Sequence, residues 1–294
     1  MSHLRTISIL TKIYYLIDLN IKVKMSDSSS FYSVDNGLPD YVDFQNMSKT
    51  VKSVVIKFII SECLSVAGKY NGKCYGGFVR DVLVPLSANK GNSNLVSNWK
   101  DVDIWFTTET DMKSFIKDMG RKLKAVRYQQ SITEERKNVL YNWPRNQYHL
   151  YIWNVNVAWI DVIVSPELPV NDFDVNHLTY CYRPNSLFNS YIWGDCGDVT
   201  VEGNVKEFVT IDYVQKCILN KVATMDREYI DMLSDEEHGM DRLERVQNRY
   251  INRGWKVMVG ERELKLEFPL TKSTWSDFVR NFKEYLYLKF LDEY

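Results

Sequence analysis

The sequence predicts an α/β (α+β) fold in which a mixed sheet is flanked by helices and followed by a mainly helical C-terminal part. Three stretches carry that prediction. Cys74-Tyr75 has the character of a short strand, Gly76-Gly77 of a tight turn, and Phe78 to Val84 of a helix stopped by Pro85. In Lys100-Asp101-Val102-Asp103-Ile104-Trp105-Phe106, strand alternation puts Asp101 and Asp103 on one face and Val102 and Ile104 on the other. Val157 to Val164 is apolar enough for a central strand, yet holds Asp161. Strand, helix and strand in mixed order belong to an α/β head.

In chain order, residues 1–47 read as an N-terminal extension, partly disordered, with Met25 opening a polar segment as a second candidate start. Asp18, Lys12, Lys22 and Lys24 break its apolar runs, so nothing approaches the roughly 20 apolar residues of a membrane span. No membrane partner is expected. Residues 48–182 form the head. Ser48 suits a helix N-cap, Val51, Val54, Val55, Phe58, Ile59 and Cys63 follow at helical spacing, and Gly68 suits the stop. Residues 86–98 read as a polar loop. A helix is expected over Thr108 to Lys122, burying Met112, Phe115, Ile116 and Met119, then a strand over Lys124 to Gln130. Ser131 to Asn146 reads as a basic loop or hairpin tip, Gln147–Val155 and Val157–Val164 as strands, and 172–182 as a short helix or turn. Residues 183–294 form the C-terminal region. It holds a turn at Gly203-Asn204, a helix over Tyr213 to Val222, a charged helix from Glu236 to Asn252 ending at Gly254, and a helix through Trp275, Phe278, Val279, Phe282 and Leu286.

Of the 294 residues, 45% are hydrophobic and 26% charged, as in a globular protein. A net charge of −1 and a pI of about 6.5 exclude a global basic field, so any nucleic acid must be met by a local patch. The five cysteines (Cys63, Cys74, Cys181, Cys196, Cys217) include no Cys-x-x-Cys pair and no zinc-like spacing with the four histidines, which suits a reducing, cytoplasmic compartment.

Asp is depleted from strands, so Asp101 and Asp103 among Val, Ile, Trp and Phe require a reason. Coplanar carboxylates suit hard cations, Mg²⁺ first and Mn²⁺ second. Phosphoryl transfer uses such ions to activate a hydroxyl and to bridge phosphate oxygens. Asp161 is the third candidate ligand, because a carboxylate in a central strand needs a metal, an ion pair or an internal hydrogen bond. The glycine turn opening a helix suits phosphate, through free N–H groups and the close approach that glycine permits. Asp172 is either a helix N-cap or a ligand contact, and His177 is read as structural. Arg242, Arg245, Arg249 and Arg253 form either a solvated face or a partial cluster toward a nucleotide or an RNA end.

Gly76-Gly77-Phe78-Val79-Arg80-Asp81, then Asp101-Val102-Asp103-Ile104, then Asp172-Phe173 with Asn176 and Tyr180, resemble in order the motifs of class II tRNA nucleotidyltransferases and bacterial poly(A) polymerases. These belong to the DNA polymerase β-like nucleotidyltransferase superfamily. The resemblance covers about residues 50–182 and more loosely runs to 257. It implies a nucleotidyltransferase head, with Asp101, Asp103 and Asp161 as catalytic and metal-binding residues. It further implies that Gly76, Gly77, Arg80, Asp172, Asn176, Arg242 and Arg245 contact the NTP, ATP or CTP, with an RNA 3′ end as acceptor. Val170 and Asn171 replace two family arginines, and His238-Gly239 stand where a base-reading pair is expected. The residues beyond Trp255 are few for the family's tRNA-holding body and tail, so CCA addition is not expected. A protein or small-molecule acceptor, and a fold that binds nucleotide without chemistry, are the alternatives. The oligomeric state is not readable.

Overall fold

A computed structural model describes residues 49–88, 101–123, 126–130, 146–152, 155–168, 172–183, 197–203, 205–233 and 239–266, with Ser276 and Arg280 singly. The N-terminal extension, most of the 86–98 loop, the basic segment after Ser131, Val170, Asn171, His238 and the helix expected through Trp275 lie outside the described residues.

The chain is α/β, as its alternating patterns predict. Helix α1 (Lys49–Lys69) leads into β1 (Lys73–Tyr75), a π-helical turn (Val79–Leu83) and α2 (Val84–Ala88). Strand β2 (Val102–Phe106), α3 (Glu109–Leu123), β3 (Val126–Gln130), β4 (Asn146–Ile152) and β5 (Val155–Val164) follow. A 3₁₀ turn (Asp174–Asn176), β6 (Leu178–Tyr182) and β7 (Gly197–Val201) complete a seven-stranded sheet of order β3-β4-β5-β2-β1-β6-β7. Its β2–β5 pair is parallel and its other pairs antiparallel.

One sheet face makes the core. Val102, Ile104 and Phe106 of β2 and Ile160 and Val162 of β5 are buried with Cys63, Leu64 and Ala67 of α1 and Met112, Phe115, Ile116 and Met119 of α3. Thr108 caps α3, its hydroxyl accepting the Asp111 N–H at 3.2 Å. On the opposite face Tyr75, Trp105, Ile163 and Leu168 form a smaller buried cluster.

Two expected stops act otherwise. Gly68 lies inside α1, where a Cβ would stand 1.5 Å from the Tyr182 carbonyl oxygen, so its absent side chain lets the helix cross β6. The left-handed residue after the helix is Asn71, at φ 58°. Pro85 does not end its helix. It has no N–H to donate and its ring crowds the preceding turn, which widens so that the Val84 N–H bonds the Val79 carbonyl five residues back.

The C-terminal region carries three described helices, α4 (Ile211–Asn220), α5 (Arg227–Leu233) and α6 (Gly239–Arg249), and a 3₁₀ turn (Ile251–Arg253). It also builds a second sheet that the helical spacing does not reveal, β10 (Arg262–Glu263), β9 (Lys256–Val259) and β8 (Val222–Thr224) in that order. Val222 therefore starts a strand, because Lys221, at φ 54°, ends α4 one residue earlier. Gly254 closes the 3₁₀ turn at φ 78°, as expected of a glycine stop. The Phe173–Met225 bridge and the Asp226 N–H, donating to the Asp172 carbonyl at 2.9 Å, bind this region to the head.

Candidate functional site

The β2–β5 register sets Asp103 directly beside Asp161, with Tyr75 opposite Asp103 across β1 and His149 opposite Asp161 across β4. In-register neighbours project from the same face about 4.8 Å apart along the backbone. Both aspartates are half-buried, on the face away from Val102, Ile104, Ile160 and Val162. Asp101 lies one residue before β2 and is exposed. The expected alternation thus stops short of it. Among the described residues no three His, Cys, Asp or Glu side chains are gathered into a metal-holding group.

The glycine turn meets this carboxylate row. Gly76, at φ 71°, adopts a conformation that favours glycine, and a Cβ on it would lie 3.3 Å from Asp103 Oδ2. Burial, and then the Asp103 charge, push the Cys74 thiol well up, so this cysteine is an inert core residue.

Arg80, Asp172 and Asn176, about 90 residues apart in sequence, also come together, but face inward. Arg80 is buried, grips Asp81 with Nε and Nη2 at 2.8 Å each, and donates from Nη1 to Asn176 Oδ1 at 3.1 Å. Burial works against its charge, but the Tyr250 oxygen, Asp81 and Asp172 outweigh burial and hold the guanidinium protonated. Asp172 Oδ1 accepts the Phe173 N–H and Asn176 Nδ2, each at 2.8 Å, but it does not cap the 3₁₀ turn, whose N-cap position is Phe173. Burial raises its carboxyl pKa, against the lowering by Asn176.

His177 ties the site to its surroundings: Nδ1 is 2.7 Å from the Glu202 carbonyl oxygen and Nε2 is 2.7 Å from Asp226 Oδ2. A ring nitrogen facing a carbonyl must donate, so full satisfaction of both contacts calls for the imidazolium. Burial lowers its pKa, yet Asp226 and Glu202 raise it more, and the net shift is upward. Arg242 is buried and Nη1 donates to the Met232 carbonyl, whereas Arg245 is half-exposed. Burial, and then the Asp172 charge, push the Tyr229 phenol up, against the lowering by Arg249, Arg245 and Arg242. The α6 arginines thus divide between a helix-packing contact and a more open face. Gly239, at the first position of α6, is buried.

Sequence reasoning missed Tyr250 and Arg253 as partners of the turn. The signal was the stripe Leu243, Val246 and Tyr250 at helical spacing, all buried, beneath the arginines it had singled out. No protein-family model matches the chain, and no curated protein sequence matches it. No described helix is long and apolar enough to cross a membrane.

Proposed function

We propose that this chain is a divalent-metal-dependent nucleotidyltransferase that moves a nucleoside monophosphate from an NTP to a hydroxyl and releases pyrophosphate. The observation that carries this is the pairing of Asp103 with Asp161 on adjacent parallel strands, with the Gly76 turn against Asp103. The donor chemistry fits a hard cation: two half-buried carboxylates side by side offer oxygen ligands, which Asp101, just ahead of β2, would supplement only by moving inward. Mg²⁺ or Mn²⁺ held by Asp103 and Asp161 would supply charge neutralisation at the phosphates and a more acidic acceptor hydroxyl.

The chain's own residues do the rest in this scheme. Gly76 and Gly77 let the triphosphate approach the backbone, where a Cβ at Gly76 would intrude on Asp103. Asp161 takes the hydroxyl proton as the acceptor oxygen bonds to the α-phosphorus and the bond to the β-phosphate oxygen breaks. Arg80 acts from behind the turn, since its donors are largely engaged inside the protein. The motif order that resembles poly(A) polymerases favours ATP or CTP as donor and an RNA 3′ end as acceptor, through a local basic patch such as the open face bearing Arg245 and Arg249. The test is incubation with each α-labelled NTP, Mg²⁺ and total RNA. Label in RNA supports the proposal as stated, label in protein or a small molecule changes the acceptor, and absence of label from every NTP contradicts transferase activity.

A further inference from the structure

Building on the assignment of the Gly76-Gly77 turn as the triphosphate site, we propose that Tyr250, Arg253 and Trp255 are positioning residues. They clasp Arg80 and Asp81 from the C-terminal region and thereby set how tightly the turn takes a nucleotide. The Arg80 N–H donates to the Gly76 carbonyl at 3.1 Å, the first hydrogen bond closing the turn, so displacing Arg80 displaces the turn. The clasp holds it from three sides. Tyr250 lies 170 residues later, and its hydroxyl oxygen accepts Arg80 Nη1 at 2.7 Å and Asn176 Nδ2 at 2.7 Å. The Tyr250 ring centroid is 4.6 Å from the guanidinium carbon and that of Trp255 5.4 Å, which sets two aromatic rings beside a buried cation. Arg253 Nη1 donates to Asp81 Oδ2 at 3.2 Å, the oxygen that also receives Arg80 Nη2.

The chain path explains why these three residues converge. Tyr250 follows Leu243 and Val246 on the buried stripe of α6 and packs on Phe173 with ring centroids 4.2 Å apart. Gly254, in its left-handed conformation, reverses the chain so that the Trp255 N–H returns to the Tyr250 carbonyl at 3.1 Å. With four of its five N–H groups committed, Arg80 keeps one Nη2 hydrogen, and that nitrogen would lie 3.7 Å from a Cβ on Gly77. The guanidinium is therefore a strut under the turn, held by Asp81 and Asn176 within the head and by Tyr250 and Trp255 from beyond it.

The test uses the full chain with Tyr250→Phe, which keeps the ring and removes the shared acceptor, and Arg253→Gln, at a half-exposed site where folding is not at risk. Hydrogen exchange is followed in segments 76–83, 102–106 and 160–164, together with ATP affinity and turnover in MgCl₂. Leaving two buried donors without their acceptor should speed exchange of 76–83 by about tenfold in Tyr250→Phe, with less effect in Arg253→Gln and almost none in the two strands. The dissociation constant for ATP should rise by about tenfold while kcat changes by less than about threefold. Unchanged exchange at 76–83, or an equal rise in all three segments, overturns the clasp. The expected exchange with unchanged ATP affinity overturns its positioning role. If the wild-type chain neither binds ATP nor turns it over, the transferase reading falls and exchange alone decides whether the clasp holds the turn.

Discussion

At Gly76 the backbone and a neighbouring carboxylate make the same demand: φ is 71° and a methyl would meet Asp103 Oδ2 at 3.3 Å. Gly76→Ala should therefore cost roughly 1–2 kcal/mol in urea unfolding, from the left-handed conformation alone. Gly77→Ala should cost less than half as much, because its nearest neighbour at 3.7 Å is an ordinary contact. Equal losses would mean that the turn can relax and that the carboxylate does not confine it. His177 supplies a second test at this scale. Its pKa is raised in the folded state, so its stabilisation is fully present below the unfolded value of about 6.5 and is lost as pH rises through the folded value. Melting temperatures should fall across that window for the wild-type chain and less steeply for His177→Gln, which keeps no titrating ring. Parallel pH profiles would show that the Asp226 contact does not depend on the imidazolium.

At the scale of elements, α1 and β6 are locked by an absent side chain. Gly68→Ala would set a Cβ 1.5 Å from the Tyr182 carbonyl oxygen, a backbone clash that no rotamer relieves, and should destabilise by about 3 kcal/mol or more. Calorimetry giving less than about 1 kcal/mol would mean that α1 can slide over the sheet. The helices and strands of the head were legible because their periodicity follows burial. Met112, Phe115, Ile116 and Met119 recur at helical spacing and are all buried, and the alternation at Val102-Asp103-Ile104 matches a core face and a carboxylate face. What stayed hidden depends on neighbours distant in sequence. A glycine that looks like a stop serves a crossing, Pro85 is absorbed by a π turn ahead of it, and Val222-Ala223-Thr224 becomes a strand only because β9 lies alongside. The candidate site divides in the same way. Asp103 and Asp161 could be read from their apolar settings, whereas the inward commitment of Arg80 required Tyr250 and Arg253, more than 160 residues away.

For the whole molecule, the mixed sheet brings a carboxylate from β2 and one from β5 to one face, while Tyr250, Arg253 and Trp255, between α6 and β9, contact Arg80 and Asp81 behind the turn beside them. Ligands that bind only the folded chain raise its stability, so Mg²⁺ with an NTP should raise the melting temperature more than either alone. Asp101→Ala/Asp103→Ala should abolish most of that increment, and an unchanged increment would remove both residues from the metal assignment. The most direct test of the central claim is Asp161→Asn, which preserves shape and a neutral oxygen while removing the charge needed for metal binding and proton transfer. Turnover of labelled NTP and thermal melting are measured on the same preparation. If Asp161 belongs to the catalytic centre, turnover falls by about a hundredfold or more while melting changes little. Activity per folded molecule that is retained, with a stability loss of roughly 1–3 kcal/mol, would make Asp161 a buried structural contact and contradict the claim.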